Sequence, residues 1–293
     1  MKKVTVLLFL IVSIFSFSFK IIDGYVHDTH GNKVELKEYQ RFVVLDPSTV
    51  ETMFLTNVQH KIVAMGHTTR SPIWPFDETP KIATVGTITR PSLETVLSFE
   101  PDIVILNSMI PDFGETLSNY GIKVLVNSTG GLNDIFETTR VVGMLAGKAE
   151  ETDELVRIQE NKLTVIKQNL RSNPLYLKGA FLYATNPIMA FRGDSLPGDI
   201  LNLLGVINIA EGVIGERPIL SAEYILKQNP DFLIGAMSLA SIDDILNSSE
   251  VIQYTKAGRN KNMFIIDSSK LLRPSLRVVD EIENLYNDLK NMK

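Results

Sequence analysis

Residues 92–105 read SLETVLSFEPDIVI, and residues 221–234 read SAEYILKQNPDFLI. Ser92, Glu94, Leu97, Pro101 and Asp102 match Ser221, Glu223, Leu226, Pro230 and Asp231 without a gap, 129 positions apart. Each copy reads as a capped helix, a proline stop and a buried strand. The serine is an N-cap, and the glutamate falls at the second helical position, where the helix dipole favours a carboxylate. Any βα protein reuses such units. Two at one register, on either side of a long helical segment, imply two related lobes, each presenting one carboxylate.

Working outward, a βα rhythm begins at Arg41. Residues 42–45, 61–65, 102–106 and 122–126 are short apolar runs, as in strands covered on both faces. Ser48 with Glu51 reads as a capping box opening a helix. A hairpin is expected over 21–36, with its turn at Asp28–Asn32. Residues 133–172 break the rhythm. From Lys148 the segment is charged, with Leu155, Ile158, Leu163, Ile166 and Leu170 at helical spacing, and Pro174 stops it. A helix of about 22 residues would span about 33 Å, which suits a strut. Strands at 178–184, 232–235 and 263–267 follow, with helices at 196–204, 221–228 and 275–290. The fold class is therefore α/β with mostly parallel sheets. The expected organisation is a leader over 1–18, an N-terminal lobe over 19–146, a connecting helix over 147–173 and a C-terminal lobe over 174–293.

The leader rests on Lys2 and Lys3, the apolar run Val4–Phe15, and Ser16 and Ser18 before a cut at Phe19. The alternative is an uncleaved anchor, although the run is short for a bilayer span. The chain of 293 residues contains no cysteine. Disulfides, thiol catalysis, Cys-ligated metal and a lipid-anchor cysteine are thereby excluded. A formal net charge of −5 provides no basic field for nucleic acid.

Enzymatic readings fare poorly. Gly193-Asp194-Ser195-Leu196 matches a short hydrolase motif, but the four histidines, His27, His30, His60 and His67, all precede it. Ser195 thus lacks the base such enzymes place near the chain end, and reads as a helix N-cap. The same distribution leaves the second lobe without a histidine for a bare transition metal. No phosphate-binding glycine loop is present in a strand–turn–helix context. No catalytic residue, resident metal or cofactor is assigned.

The ordered set of these features resembles the periplasmic binding proteins of the single-helix-hinge type, which serve ABC importers of ferric siderophores, haem and cobalamin. Its marks are Asp28–Gly31 before Arg41–Val44, Pro47–Glu51, both Ser-x-Glu…Pro-Asp units, Gly193–Ser195 with Gly198–Leu201, and Pro274–Arg277. The resemblance covers about residues 21–290. It implies two Rossmann-like lobes joined by one long helix, and a monomer exported to the periplasm as a soluble protein. It also implies that Glu94 and Glu223 dock transiently onto arginines of the inner-membrane permease. Ligand would lie between the lobes, at loops beyond the strand ends. Arg70, Trp74, Arg192, Arg217 and Arg273 fall in those loops and are the expected ligand contacts. Guanidinium groups pair with anionic chelates and an exposed tryptophan stacks on flat rings, so a ferric siderophore is the first expectation. Cobalamin and haem follow. Haem would want an axial group, for which Tyr183 and His67 are the candidates. A ligand sensor and an exported hydrolase are the readings from other classes.

Overall fold

The structure is a computed structural model and describes residues 18–69, 71–215 and 218–292. The leader, apart from Ser18, lies outside the described residues. Ser18 itself is 2% exposed. It donates to Asn127 Oδ1 at 3.0 Å and accepts from the Ser128 amide at 2.8 Å.

The chain opens with an antiparallel ribbon, β1 (Phe19–Ile22), β2 (Tyr25–Asp28) and β3 (Lys33–Glu35). It has one strand more than the expected hairpin. Asp23 and Gly24 both take positive φ, 49° and 78°, the requirement of a two-residue hairpin turn that Asp-Gly meets well. The run 21–26 therefore folds back on itself.

The first lobe follows as β4 (Phe42–Val44), α1 (Pro47–Leu55), β5 (Ile62–His67), β6 (Thr84–Thr87), β7 (Arg90–Pro91), α2 (Leu93–Ser98), β8 (Ile103–Asn107), α3 (Pro111–Asn119), β9 (Val124–Asn127) and α4 (Leu132–Leu145). Its sheet order is β7-β6-β5-β4-β8-β9, parallel except for β7. Pro47 occupies the first turn of α1 and Asp46 is the N-cap, accepting from the Thr49 amide at 2.8 Å. This corrects the expected capping box. Proline fixes the start one residue ahead of Ser48, and Glu51 is left free to point elsewhere.

α5 (Ala149–Ser172) has 24 residues, about 36 Å of helix. It is gripped at both flanks. Arg140 of α4 holds Asp153 at 3.0 Å and Glu160 at 2.9 Å on α5. Lys162 reaches Asp280 on the final helix at 2.6 Å.

The second lobe comprises β10 (Lys178–Thr185), β11 (Ile188–Ala190), α6 (Leu196–Leu203), β12 (Ile207–Asn208), α7 (Ala222–Gln228), β13 (Phe232–Gly235), α8 (Ile242–Asn247), α9 (Lys256–Asn260), β14 (Met263–Ile265), α10 (Ser268–Leu271) and α11 (Arg277–Lys290). Its sheet runs β11-β10-β13-β14, with β12 also parallel to β10. β14 stops earlier than the apolar run suggests because Asp267 caps α10 through the Ser269 amide.

The repeated Pro-Asp has a structural reason in both lobes. Asp102 accepts from the Gln40 and Arg41 amides, each at 3.0 Å, just before β4. Asp231 accepts from the Lys178 amide at 2.8 Å, at the start of β10. In each lobe the aspartate satisfies otherwise unpaired strand-entry donors and aligns two parallel strands. The lobes also share packing. Leu132, Ile135 and Phe136 of α4 join one buried cluster with Leu163 and Ile166 of α5, Phe181 of β10 and Ile282 of α11.

Candidate ligand cleft

The ends of β10, β13 and β14 point their carboxyl edges at the loop that follows β5. A cavity of about 750 Å³ lies there, within the usual size of a small-molecule site. The second lobe supplies Tyr183, Met237, Leu239 and Ile265, together with Ser238 and Ser268. The first lobe supplies Ser71, Pro72 and Phe76. Phe76 is 46% exposed and Met237 61%. Met237 also has φ of 58°, an uncommon conformation for a side chain of that size. It is fixed by its amide donating to Ser268 Oγ at 2.7 Å, and Ser238 Oγ donates to the Tyr183 carbonyl at 2.8 Å. Asp244 fastens the far wall by accepting from the Ala240 and Ser241 amides, each at 2.8 Å. The Ala240 amide is the main reason its carboxyl is held below the usual aspartate range. Tyr183 packs against Phe191 at 4.7 Å between ring centres.

The five residues expected to touch ligand divide. Arg70 and Arg217 lie outside the described residues. Arg192 sits beyond β11, where its Nη1 donates to the Gly215 carbonyl at 3.2 Å and its Nη2 lies 3.4 Å from Asp194. Arg273 is occupied within the protein: Nη1 pairs with Glu51 at 2.9 Å, and the guanidinium also donates to the Ser71 and Pro72 carbonyls, both at 2.7 Å. Trp74 is half-buried, with the Arg277 guanidinium 4.9 Å above its ring. Phe76, two residues on, is the aromatic of that loop that lines the cavity. Ser195 caps α6, accepting from the Gly198 amide and donating to the Arg192 carbonyl. No group of three or more metal-ligating side chains occurs among the described residues.

Sequence reasoning missed Phe76 and Met237 as lining residues, since isolated apolar residues in loops have no periodicity to read, and Ile265, whose place at the end of β14 does not by itself say that it faces a cavity. It also missed Glu51. A signal was present there: a carboxylate flanked by Val50, Met53, Phe54 and Leu55 on one short helix is a buried charge needing a cation.

Glu94 and Glu223 occupy equivalent places in α2 and α7, one residue past the first helical position. Ser92 caps the first through the Thr95 amide at 3.2 Å, and Ser221 the second through the Tyr224 amide at 3.2 Å. Both carboxylates are exposed.

A family model described as periplasmic binding protein matches residues 42–270. The vitamin B12-binding protein of Vibrio parahaemolyticus is 20% identical over 259 residues, covering 87% of this chain and 90% of its own. The petrobactin-binding protein YclQ of Bacillus subtilis is 23% identical over 256 residues, 83% of this chain and 78% of its own. Among solved structures, the haem-binding protein RhuT of Roseiflexus sp. RS-1 in apo form superimposes with a TM-score of 0.75 at 20% identity, covering 87% of this chain and 99% of that one. With the family model spanning most of its length, the chain belongs to the periplasmic binding protein family.

Proposed function

We propose that this protein captures a corrinoid of the cobalamin class in the cleft and delivers it to an ABC permease, without chemical conversion. One observation carries the choice of cargo: the cavity, as lined by the described residues, offers apolar side chains, aromatic faces, hydroxyls and one carboxylate, Asp267, but no cation, while Arg273 is spent on Glu51 and two carbonyls. A corrin presents flat apolar faces fringed by neutral carboxamides, which such a lining matches. An anionic ferric chelate would leave its charge poorly compensated there. The vitamin B12-binding relatives support the same reading. Export to the periplasm follows from the family and is part of the proposal.

A ferric siderophore is the second reading. The petrobactin-binding relative favours it. Haem, with Tyr183 as axial phenolate, is a third outcome of the same test. Calorimetric titration with cyanocobalamin, haemin and ferric catecholate, hydroxamate and citrate chelates separates them. One saturable site for cyanocobalamin, weakened about tenfold or more by Phe76→Ala through loss of about 1.4 kcal/mol or more of buried aromatic contact, is expected. Saturable binding of a ferric chelate with none of cyanocobalamin would overturn the corrinoid assignment.

A further inference from the structure

Glu51 is fully buried at the junction of the lobes, and every partner it has among the described residues comes from the far end of the chain. Arg273 Nη1 lies 2.9 Å from its Oε1, Arg277 Nη1 lies 3.0 Å from the same oxygen, and Ser275 Oγ donates to Oε2 at 2.7 Å. Ser275 thereby stays out of α11, which begins at Arg277 rather than at residue 275. The same Arg273 then extends past Glu51. Its fork reaches two consecutive carbonyls and one hydroxyl of the first lobe, Ser71 O, Pro72 O and Ser71 Oγ, at 2.7, 2.7 and 3.0 Å. Arg277 covers Trp74 two residues further on. Between them Ile73 is 4% exposed, and its carbonyl accepts from Thr79 Oγ1 at 2.7 Å. The segment 71–74 is thus held from both sides, and Ser71 and Pro72 are cavity wall.

We propose that Arg273 is a positioning residue for the ligand cleft: anchored on Glu51, it sets the first-lobe wall in place from the second lobe, so that the cavity exists in binding form only at one spacing of the lobes. A planar guanidinium suits this role because one rigid fork satisfies the carboxylate and both carbonyls together, which a lysine ammonium does not. The consequence is mechanical. Any force that parts the lobes withdraws Arg273 from Ser71 and Pro72, leaves the Pro72 carbonyl without that donor and the Ser71 carbonyl with only the Thr68 hydroxyl, and frees the wall that holds the cargo. Release and lobe spacing become one event. The inference rests on the reading of this cavity as the ligand site, and its first readout does not need a ligand.

Arg273→Gln is the informative variant, because Glu51 keeps Arg277 and Ser275 and is not left bare. Trp74 is the only tryptophan, so acrylamide quenching of its fluorescence reports this loop alone, and amide hydrogen exchange resolves 71–76 from the rest. The variant is expected to keep its circular dichroism spectrum and cooperative melt. Quenching of Trp74 and exchange over 71–76 should both rise, with α5 unchanged. If the wall then spends about a tenth of its time in place, apparent Kd for cyanocobalamin rises about tenfold, because only that fraction of the free protein is competent to bind. Arg273→Lys should fall between, and serves if the glutamine variant does not fold. Wild-type quenching and loop exchange in a folded variant would refute the proposal, as would a uniform rise across the protein with no excess at 71–76. A wild-type protein that ignores cyanocobalamin would count against the corrinoid reading only, and the two ligand-free measurements would still decide the role of Arg273.

Discussion

Gly143 tests whether the strut is seated as the structure shows. It lies in α4 where that helix crosses α5, and a Cβ built on it would come 2.3 Å from Thr152 Oγ1, 2.5 Å from Thr152 Cβ and 2.6 Å from Thr152 Cγ2. Carbon atoms pack well at about 3.5–4.0 Å, so Gly143→Ala requires the helices to part by about 1 Å. Two effects compete. Alanine in place of glycine inside a helix gains about 1 kcal/mol. Overpacking costs about 1–3 kcal/mol, and here the obstruction is a β-branched side chain blocked at its Cβ, not a flexible tip that can swing aside. The upper end of that range applies, and the net loss is about 2 kcal/mol, or about 4–8 °C in Tm for a chain of this length. Thermal melts measure it. Thr152→Gly in the same chain should recover more than 1 kcal/mol of coupling in a double-mutant cycle, whereas Thr152→Ala, which retains the Cβ, should recover little. A higher Tm for Gly143→Ala, or an additive cycle with Thr152→Gly, would refute the close crossing.

Two further outcomes are expected. Glu94→Lys with Glu223→Lys should leave cargo affinity in solution unchanged and abolish uptake by permease-containing vesicles, since reversed charge at both proposed docking points opposes encounter and register; persistent uptake would remove both residues from the docking role. Asp153 is held below the usual aspartate range, chiefly by its hydrogen bond from Arg140. A depressed folded pKa gives stability that is present above the unfolded value, about pH 4, and is lost as pH falls through the folded value. Asp153→Asn should therefore lower Tm at neutral pH and flatten its decline below about pH 4, and an acid limb identical to wild type would exclude this contribution.

What the sequence discloses and what it hides divide along a physical line. The strands, the strut and the two Ser-x-Glu…Pro-Asp units are written locally: caps, stops and apolar periods act over a few residues, and Asp102 and Asp231 repeat one local task. Even the corrections within the fold are local, as at Asp23–Gly24 and at Asp46–Pro47, where a stronger turn or cap signal displaces a weaker one. The cleft is different. Arg273 in a loop near the strand ends has the same sequence appearance whether it faces a ligand or a buried carboxylate, and its partner is 222 residues away. Trp74 likewise looks free until Arg277 is found over it. A buried acid is the one readable trace of such a tie, because a carboxylate does not remain inside without a cation. Glu51 in its apolar helix therefore predicts that some arginine thought available for cargo is already engaged. That removes one expected positive charge from the site, which is the ground for proposing a neutral, flat-faced macrocycle as cargo in place of an anionic chelate.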